Sequence, residues 1–240
     1  MILRITIITS LLLSSIYAKS LEGTTISKIP EASGIDYCQD SDTLVVANDE
    51  GKYYEIDTKG KILKMKNLGN HDLEGVVCLR KSYIFAVEDR GLLIVDRKTG
   101  TKKSVALNTI LDGKRVKLTD KKRGIEGIAK DGNRLYLAKQ SKKKKKSLVG
   151  VFKYSPFPPS LKSIIKPNVA DIAGLCYYNK KLYMVSDKKD KILIYNPKSK
   201  KITKKIKLPK GAWEGITFDK DGVLYLADDD GRVIKFGRLE

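Results

Sequence analysis

The sequence has few of the residues that usually organise small secreted or catalytic domains. Three cysteines and one histidine occur among 240 residues. The odd number of cysteines excludes a disulfide framework as the basis of the fold, and a lone His71 leaves zinc without its usual ligands. Small buried thiols most simply explain Cys38, Cys78 and Cys176, with one disulfide between neighbouring strands left open.

Several motifs of common enzyme classes are also missing. The chain has no nucleophile elbow, no Ser-His-Asp spacing, no phosphate-binding glycine loop and no CxxC pair. These absences exclude the α/β-hydrolase, P-loop and thioredoxin-like classes that depend on such motifs.

Helix-length amphipathic segments are absent after residue 20. The sequence instead alternates strand-length apolar stretches with turns in which Asp, Asn or Lys precedes Gly. This pattern is typical of antiparallel sheets. We therefore expect an all-β protein in which residues 19–240 form a single domain.

The first eighteen residues predict a secretory signal peptide. Arg4 provides a short positive region, residues 5–13 are apolar, and cleavage is expected after Ala18. The apolar stretch is short for a membrane span, although an uncleaved N-terminal anchor is the alternative. We expect export to the periplasm or cell envelope, no transmembrane span in the mature chain, and a monomer.

A short acid-glycine phrase recurs five times along the chain. Its glycines are spaced by 41, 52, 47 and 41 residues and are Gly34, Gly75, Gly127, Gly174 and Gly215. After each glycine come an apolar strand, a turn, a second strand and an alternating third strand, and most repeats add a fourth. Four antiparallel strands repeated in this way predict a β-propeller.

The last repeat lacks its own fourth strand, which residues 24–29 can supply. Such an exchange closes the ring and predicts five blades, whereas six blades would require one without the glycine phrase. The additional residues of the longer repeats, at positions 108–122, 141–146 and 155–167, are expected to form surface loops.

The five phrases, taken in order, resemble the SdiA-regulated family of exported bacterial proteins. They are Ser33-Gly34-Ile35, Asp72-Leu73-Glu74-Gly75, Glu126-Gly127-Ile128, Ala173-Gly174-Leu175 and Glu214-Gly215-Ile216. The resemblance covers essentially the mature chain and implies a five-bladed propeller with a calcium site, distantly similar to NHL-repeat propellers. It implies no established activity, although some related six-bladed propellers are metal-dependent hydrolases or lactonases.

The residue before each repeat glycine is expected to line the central channel. These residues are Ser33, Glu74, Glu126, Ala173 and Glu214. Three facing glutamates would repel one another unless a cation neutralised them, and hard oxygen ligands in an adaptable ring suit Ca²⁺. We therefore predict a calcium site at Glu74, Glu126 and Glu214. The alternative is a β-bulge at each Glu-Gly step, with the carboxylate capping a neighbouring backbone N–H.

Residues that follow the second strands are expected to point to the same mouth of the channel. They are Asn48, Glu88, Lys139, Ser186 and Asp228. Glu88 and Asp228 are candidate outer ligands or general bases, and His71 is a third candidate base because histidine titrates near neutral pH. Trp213 is expected to be a stacking surface or a lid.

The function that we expect is an exported calcium-binding propeller acting as a binding or scaffold module for an unknown small molecule or envelope component. The alternative is a calcium-dependent hydrolase of a phosphoester, ester or lactone, with its site at the channel mouth.

The formal charge of +20 arises from 48 Lys and Arg against 28 Asp and Glu. The lysines are scattered over turns rather than interleaved with aromatic residues on one face, so we expect no specific nucleic-acid partner. One concentrated patch could bind an anionic polymer, and it consists of Lys142, Lys143, Lys144, Lys145 and Lys146.

Overall fold

The computed structural model describes residues 21–120 and 122–239. It contains five four-stranded antiparallel sheets, the blades of a propeller, whose first strands lie side by side around one axis. The predicted signal peptide, residues 1–18, lies outside the described residues. Within the described part of the chain, no helix has the length and apolar character needed to cross a membrane.

The strands are numbered in chain order, and the first described strand, β1, spans Gly23–Lys28. Blade 1 contains β2 (Ala32–Cys38), β3 (Thr43–Asn48), β4 (Lys52–Asp57) and β5 (Ile62–Asn67). Blade 2 contains β6 (Leu73–Cys78), β7 (Ser82–Val87), β8 (Gly91–Asp96) and β9 (Lys102–Val105). A small hairpin follows, formed by β10 (Ile110–Leu111) and β11 (Lys114–Arg115).

The remaining blades follow the same plan. Blade 3 contains β12 (Ile125–Asp131), β13 (Arg134–Lys139), β14 (Leu148–Lys153) and β15 (Ser160–Ile165). Blade 4 contains β16 (Ile172–Tyr178), β17 (Lys181–Ser186), a 3-10 turn (Asp187–Lys189), β18 (Lys191–Asn196) and β19 (Lys201–Lys207). Blade 5 contains β20 (Trp213–Phe218), β21 (Val223–Asp228) and β22 (Arg232–Arg238).

The N-terminal strand closes the ring, as the sequence predicts. β1 pairs antiparallel with β22, from Gly23 opposite Phe236 to Lys28 opposite Arg232. Blade 5 therefore has the order β1-β22-β21-β20, with one strand taken from the start of the described chain. The five-bladed prediction is confirmed and the six-bladed alternative is wrong.

Two segments that we expected to be surface loops contain regular structure. The Pro-rich stretch leads into β15, the outermost strand of blade 3. The insertion before blade 3 forms the β10–β11 hairpin, and its Leu118 packs into the core between blades 2 and 3. The loop expectation was wrong here because the run of prolines obscured a short edge strand. Residues 142–146 do form an exposed loop.

The hydrophobic core lies between neighbouring blades rather than on the axis. Side chains alternate between the two faces of a strand, and a second strand is covered by a neighbouring blade on each face, so every residue of β3 is buried. Tyr53 of blade 1, for example, packs on Tyr83 and Phe85 of blade 2, with ring centroids 5.1 and 5.6 Å away. The axis is thus left to the residues around the repeat glycines.

A disulfide joins the inner strands of blades 1 and 2. Cys38 and Cys78 are bonded, with Cα atoms 5.3 Å apart, a separation normal for a disulfide. The interpretation of three buried thiols is therefore wrong for these two, because β2 and β6 lie side by side and bring the sulfurs together. Cys176 is a buried free thiol, as expected.

Candidate functional site

The five repeat glycines, here called the ring glycines, pack tightly against the next blade at the axis. A Cβ on Gly127 would lie 2.3 Å from the Ala173 carbonyl oxygen, and one on Gly174 would lie 2.4 Å from that of Glu214. Backbone cannot move aside cheaply, so only glycine fits at these positions. The recurrent glycine of the sequence is therefore a condition for closing the ring.

A β-bulge occurs at every ring glycine. In each blade the register between the first and second strands shifts at this point, between Ala32 and Gly34, Leu73 and Gly75, Ile125 and Ile128, Ile172 and Leu175, and Trp213 and Gly215. A bulge redirects a side chain out of the regular alternation. The structure therefore confirms one part of the alternative interpretation, the β-bulge at each Glu-Gly step.

The structure brings Glu74, Glu126 and Glu214 together. One carboxylate oxygen of each lies within 4.8 Å of the others. Glu74 and Glu214 line, with ring glycines, a space of about 10 Å³, which is about the size needed for one water molecule. Glu126 is 4% exposed. Among the described residues, neither Glu126 nor Glu214 accepts a hydrogen bond. The other part of that alternative, a carboxylate that caps a neighbouring backbone N–H, is therefore not observed for them.

The pKa of each of these three carboxyls is raised well above its ordinary value. Burial is the largest cause in every case, and the next is another member of the trio: Glu126 for Glu74, Glu214 for Glu126, and Glu74 for Glu214. The further main causes are also carboxylates, supplied by Asp72, Glu88, Asp171, Asp187 and Asp229. No cationic side chain of the described residues is among the main causes, so the negative charge here is largely uncompensated.

A second acidic group shares Glu74 with the first. Asp72, Glu74 and Glu88 also present oxygens within 4.8 Å of one another. Glu88 Oε1 accepts a hydrogen bond from Gly124 N at 3.0 Å, yet burial raises the pKa of Glu88 overall. Asp72 was not among the predicted ligands. Its place beside Glu74 in the same repeat phrase is the signal that could have identified it.

Asp228, a predicted candidate base, anchors a turn. It is fully buried. Its Oδ1 accepts Arg232 N at 2.9 Å, and its Oδ2 accepts the Arg232 Nε at 2.8 Å. Asn48 occupies the equivalent position in blade 1 and accepts Lys52 N at 2.8 Å. Both side chains thus accept a hydrogen bond from the residue four positions further along the chain.

His71 and Trp213 are not part of the glutamate cluster. The pKa of His71 is lowered by burial and then by Arg90 and Lys102, with no contribution from the three glutamates among the main causes. Trp213 is 2% exposed, and its Nε1 donates to the Pro209 carbonyl oxygen at 2.8 Å. It is therefore a core residue, and the expectation of a stacking surface or lid was wrong.

The inner strands begin at one face of the propeller, here called the glutamate face, which carries Asp72, Glu88 and the three glutamates. The loop of residues 142–146 belongs to this face, because it follows β13, whose last residue Lys139 pairs with Ile125. The opposite face, here called the hairpin face, carries the turns between first and second strands. The two faces therefore present different ends of the same channel.

Two solved structures share the fold of this chain. The crystal structure of Myxococcus xanthus glutaminyl cyclase has a TM-score of 0.66 at 12% identity, covering 92% of this chain and 97% of that chain. A streptogramin B lyase structure has a TM-score of 0.53 at 14% identity, covering 90% of this chain and 97% of that chain. Such identities show similarity of fold alone.

No curated protein sequence matches this chain. The sequence model of the SdiA-regulated family matches residues 10–236, which include all five ring glycines. The chain therefore belongs to the SdiA-regulated family.

Proposed function

We propose that the protein is an exported calcium-binding β-propeller that acts as a binding or scaffold module. The observation that carries this proposal is the convergence of Glu74, Glu126 and Glu214 within 4.8 Å, with no ion pair to a cationic side chain in the described part of the chain. Export rests on the predicted signal peptide, and a mature N-terminus after Ala18, read by N-terminal sequencing of the exported protein, would test it.

The distances between the glutamates suit a calcium ion. Two oxygens bound to one Ca²⁺ are at most about 5.2 Å apart, twice the longest usual Ca–O distance, and the corresponding limit for Mg²⁺ is about 4.2 Å. The oxygens of the three glutamates lie within 4.8 Å of one another and therefore within the span of one Ca²⁺ ion. Carboxylate oxygens are also the ligands that hard cations prefer.

The proposed ion would connect three of the five inner strands, because its ligands lie on β6, β12 and β20. Its positive charge would replace the repulsion between the buried glutamates by attraction to each of them. When bound, it would also offer a Lewis-acidic centre to an oxygen of a ligand that enters from the glutamate face.

Isothermal titration calorimetry with calcium chloride tests the site directly. We expect one calcium ion to bind the wild type and at least tenfold weaker binding by Glu126→Gln, which removes one charge at nearly constant volume. Asp221→Asn, at an exposed turn of the hairpin face, is the matched control and should bind like the wild type. Equal calcium binding by Glu126→Gln and wild type would refute the assignment.

A calcium-dependent hydrolase is the second candidate function. Two observations favour an enzyme: Glu88 is buried beside the cluster with a raised pKa, and the two similar structures are named as a cyclase and a lyase. Glu88 is then the general base. Phosphoester, ester and lactone substrates should be turned over with calcium, and both the chelator EGTA and Glu88→Gln should abolish turnover. Turnover that survives both would exclude this mechanism.

A further inference from the structure

The hairpin face holds a cavity that the proposed calcium site does not use. It has a volume of about 650 Å³, within the range of small-molecule sites. Residues that follow the ring glycines of all five blades line it, so it lies at the other end of the channel from the glutamates. A cavity on the axis of a propeller receives side chains from every blade and can surround a ligand.

At the positions two residues after the ring glycines, the polar side chains of the cavity come from the three neighbouring blades 4, 5 and 1. Asp36, Cys176 and Thr217 stand two residues after their ring glycines, and the equivalent residues of the other two blades are Val77 and Ala129. The Thr217 hydroxyl donates to Asp36 Oδ1 at 3.1 Å, and the Cys176 thiol lies 4.0 Å from the Thr217 Oγ1.

The carboxylate of Asp36 is held in place but not neutralised. Cys78 N donates to its Oδ2 at 2.8 Å, and Thr217 donates to Oδ1. Among the described residues, no cationic side chain forms an ion pair with it. Each oxygen keeps a further acceptor position, so the cavity offers a positioned negative charge to a donor. Burial raises the pKa of Asp36 to about 6, which leaves the carboxylate mostly ionised at pH 7.

Aromatic rings and charged side chains form most of the remaining lining, and the charged residues are Asp40, Arg80, Lys130, Asp219 and Lys220. Asp40 pairs with Arg97, and Lys220 pairs with Asp42. Tyr37, Tyr177 and Tyr178 are half-buried, and Tyr178 stacks on Phe218 with centroids 4.8 Å apart. Arg80 also lines the cavity, is exposed, and forms no ion pair in the described part of the chain. The cavity therefore combines an unneutralised carboxylate, aromatic walls and an unpaired guanidinium.

We propose that this cavity binds a small zwitterion, an α-amino acid or a short peptide with an aromatic or apolar side chain. Its ammonium group would bind Asp36 beside the tyrosine rings, which attract cations, and its carboxylate would face Arg80. A simple amine would leave Arg80 uncompensated, and a simple carboxylate would meet Asp36 without a partner. A neutral sugar would satisfy neither charge.

Calorimetry on the full chain with defined probes tests this assignment. Phenylalanine and glycylphenylalanine are the zwitterions, phenethylamine lacks the carboxylate, 3-phenylpropionate lacks the amine, and galactose is the neutral probe. We expect at least one zwitterion to bind about 10- to 100-fold more tightly than the single-charge probes, the range for losing a charge-assisted hydrogen bond. Preferential binding of galactose, or no binding of either zwitterion, would overturn the proposal.

Variants separate this site from the rest of the molecule. Asp36→Asn should weaken binding of the zwitterion at least tenfold, and Arg80→Gln should weaken it several-fold with no change in fold, because Arg80 is exposed. Lys144→Gln, in the exposed loop of the glutamate face, is the control and should leave the affinity unchanged. If Asp36→Asn does not fold, Arg80→Gln decides the question, and an unchanged affinity in that variant would refute the proposed pose.

Discussion

Replacing Glu126 with glutamine should stabilise the protein when calcium is absent. At the 4.8 Å limit between carboxylate oxygens, two unit charges repel by about 3.5 kcal/mol at an effective dielectric constant of 20. The repulsion cannot cost more than it costs to protonate one of the two carboxyls and so remove its charge. Keeping a carboxyl of ordinary pKa 4.5 protonated at pH 7 costs about 3.4 kcal/mol. Both figures are upper limits, because the side chains can move apart and water screens part of the charge, so we expect the charge of Glu126 to destabilise the calcium-free fold by about 2 to 3 kcal/mol.

The measurement is thermal unfolding at pH 7 in EGTA and in calcium. For a chain of this size a stability change of 1 kcal/mol moves Tm by about 2 to 4 °C, so Glu126→Gln should unfold roughly 4 to 12 °C above the wild type in EGTA. Calcium at 100 times its Kd adds about 2.7 kcal/mol to a protein that binds it. The wild type should therefore recover in calcium, and the variant should respond little.

Asp221→Asn is the control, because it removes one exposed charge from the other face. It should have the Tm of the wild type in EGTA and the same shift in calcium. The opposite result for Glu126→Gln would refute the reasoning: a lower Tm than the wild type in EGTA would mean that the carboxylate accepts a stabilising hydrogen bond, as in the capping interpretation.

Three further predictions concern pH, the disulfide and the ring. Burial and neighbouring carboxylates raise the folded-state pKa of Glu126 above its ordinary value. The protonated side chain therefore costs the fold no stability below pH 4.5, and the calcium-free wild type loses stability as the pH rises above that value. The Tm deficit of calcium-free wild type against Glu126→Gln should therefore grow from pH 4 to pH 8. Replacing Cys38 and Cys78 with serine opens a loop with a sequence separation of 40 and should cost about 4 kcal/mol in urea unfolding; an unchanged midpoint would contradict this. Gly127→Ala should cost about 1 to 3 kcal/mol by the same assay, because its Cβ meets backbone at 2.3 Å, whereas Gly237→Ala has open space and should be neutral.

The blade architecture could be predicted because its signals are local. Alternating apolar residues, turn glycines and repeat spacing depend on the pleat of a strand and on turn chemistry. The ring glycines recur for a steric reason that acts in every blade, as the 2.3 Å approach at Gly127 shows. Even the closing strand β1 was identifiable, since the last repeat was one strand short.

The misassigned features depend on contacts between distant residues. Tryptophan is a residue type that is common at binding surfaces, but the contacts of Trp213 with Pro209 and Phe236 place it in the core. The Cys38–Cys78 bond required knowing that β2 and β6 are neighbours. A sequence separation of 40, almost one repeat, was the available signal.

The candidate sites were only partly predictable. The glutamate trio followed from position relative to the ring glycines, because each repeat places the preceding residue at the bulge. Asp36 and Thr217 stand two residues after their ring glycines, and the same rule of equivalent positions would have placed them at the other end of the channel. Their hydrogen bond joins blades 1 and 5, which are far apart in sequence but adjacent in the closed ring.

The net charge of the chain is a poor guide to the ligand at its axis. A formal charge of +20 predicts attraction of anions to the surface, and lysines indeed occupy exposed outer strands such as β19. Charges exposed to solvent are screened within about 8 Å at physiological ionic strength, whereas the buried glutamates interact with one another at less than 4.8 Å. The outer lysines therefore cannot neutralise the carboxylates at the channel. A basic protein can in this way keep a cluster of acids at its axis, and the position of each acid relative to its ring glycine predicts that cluster where the charge total does not.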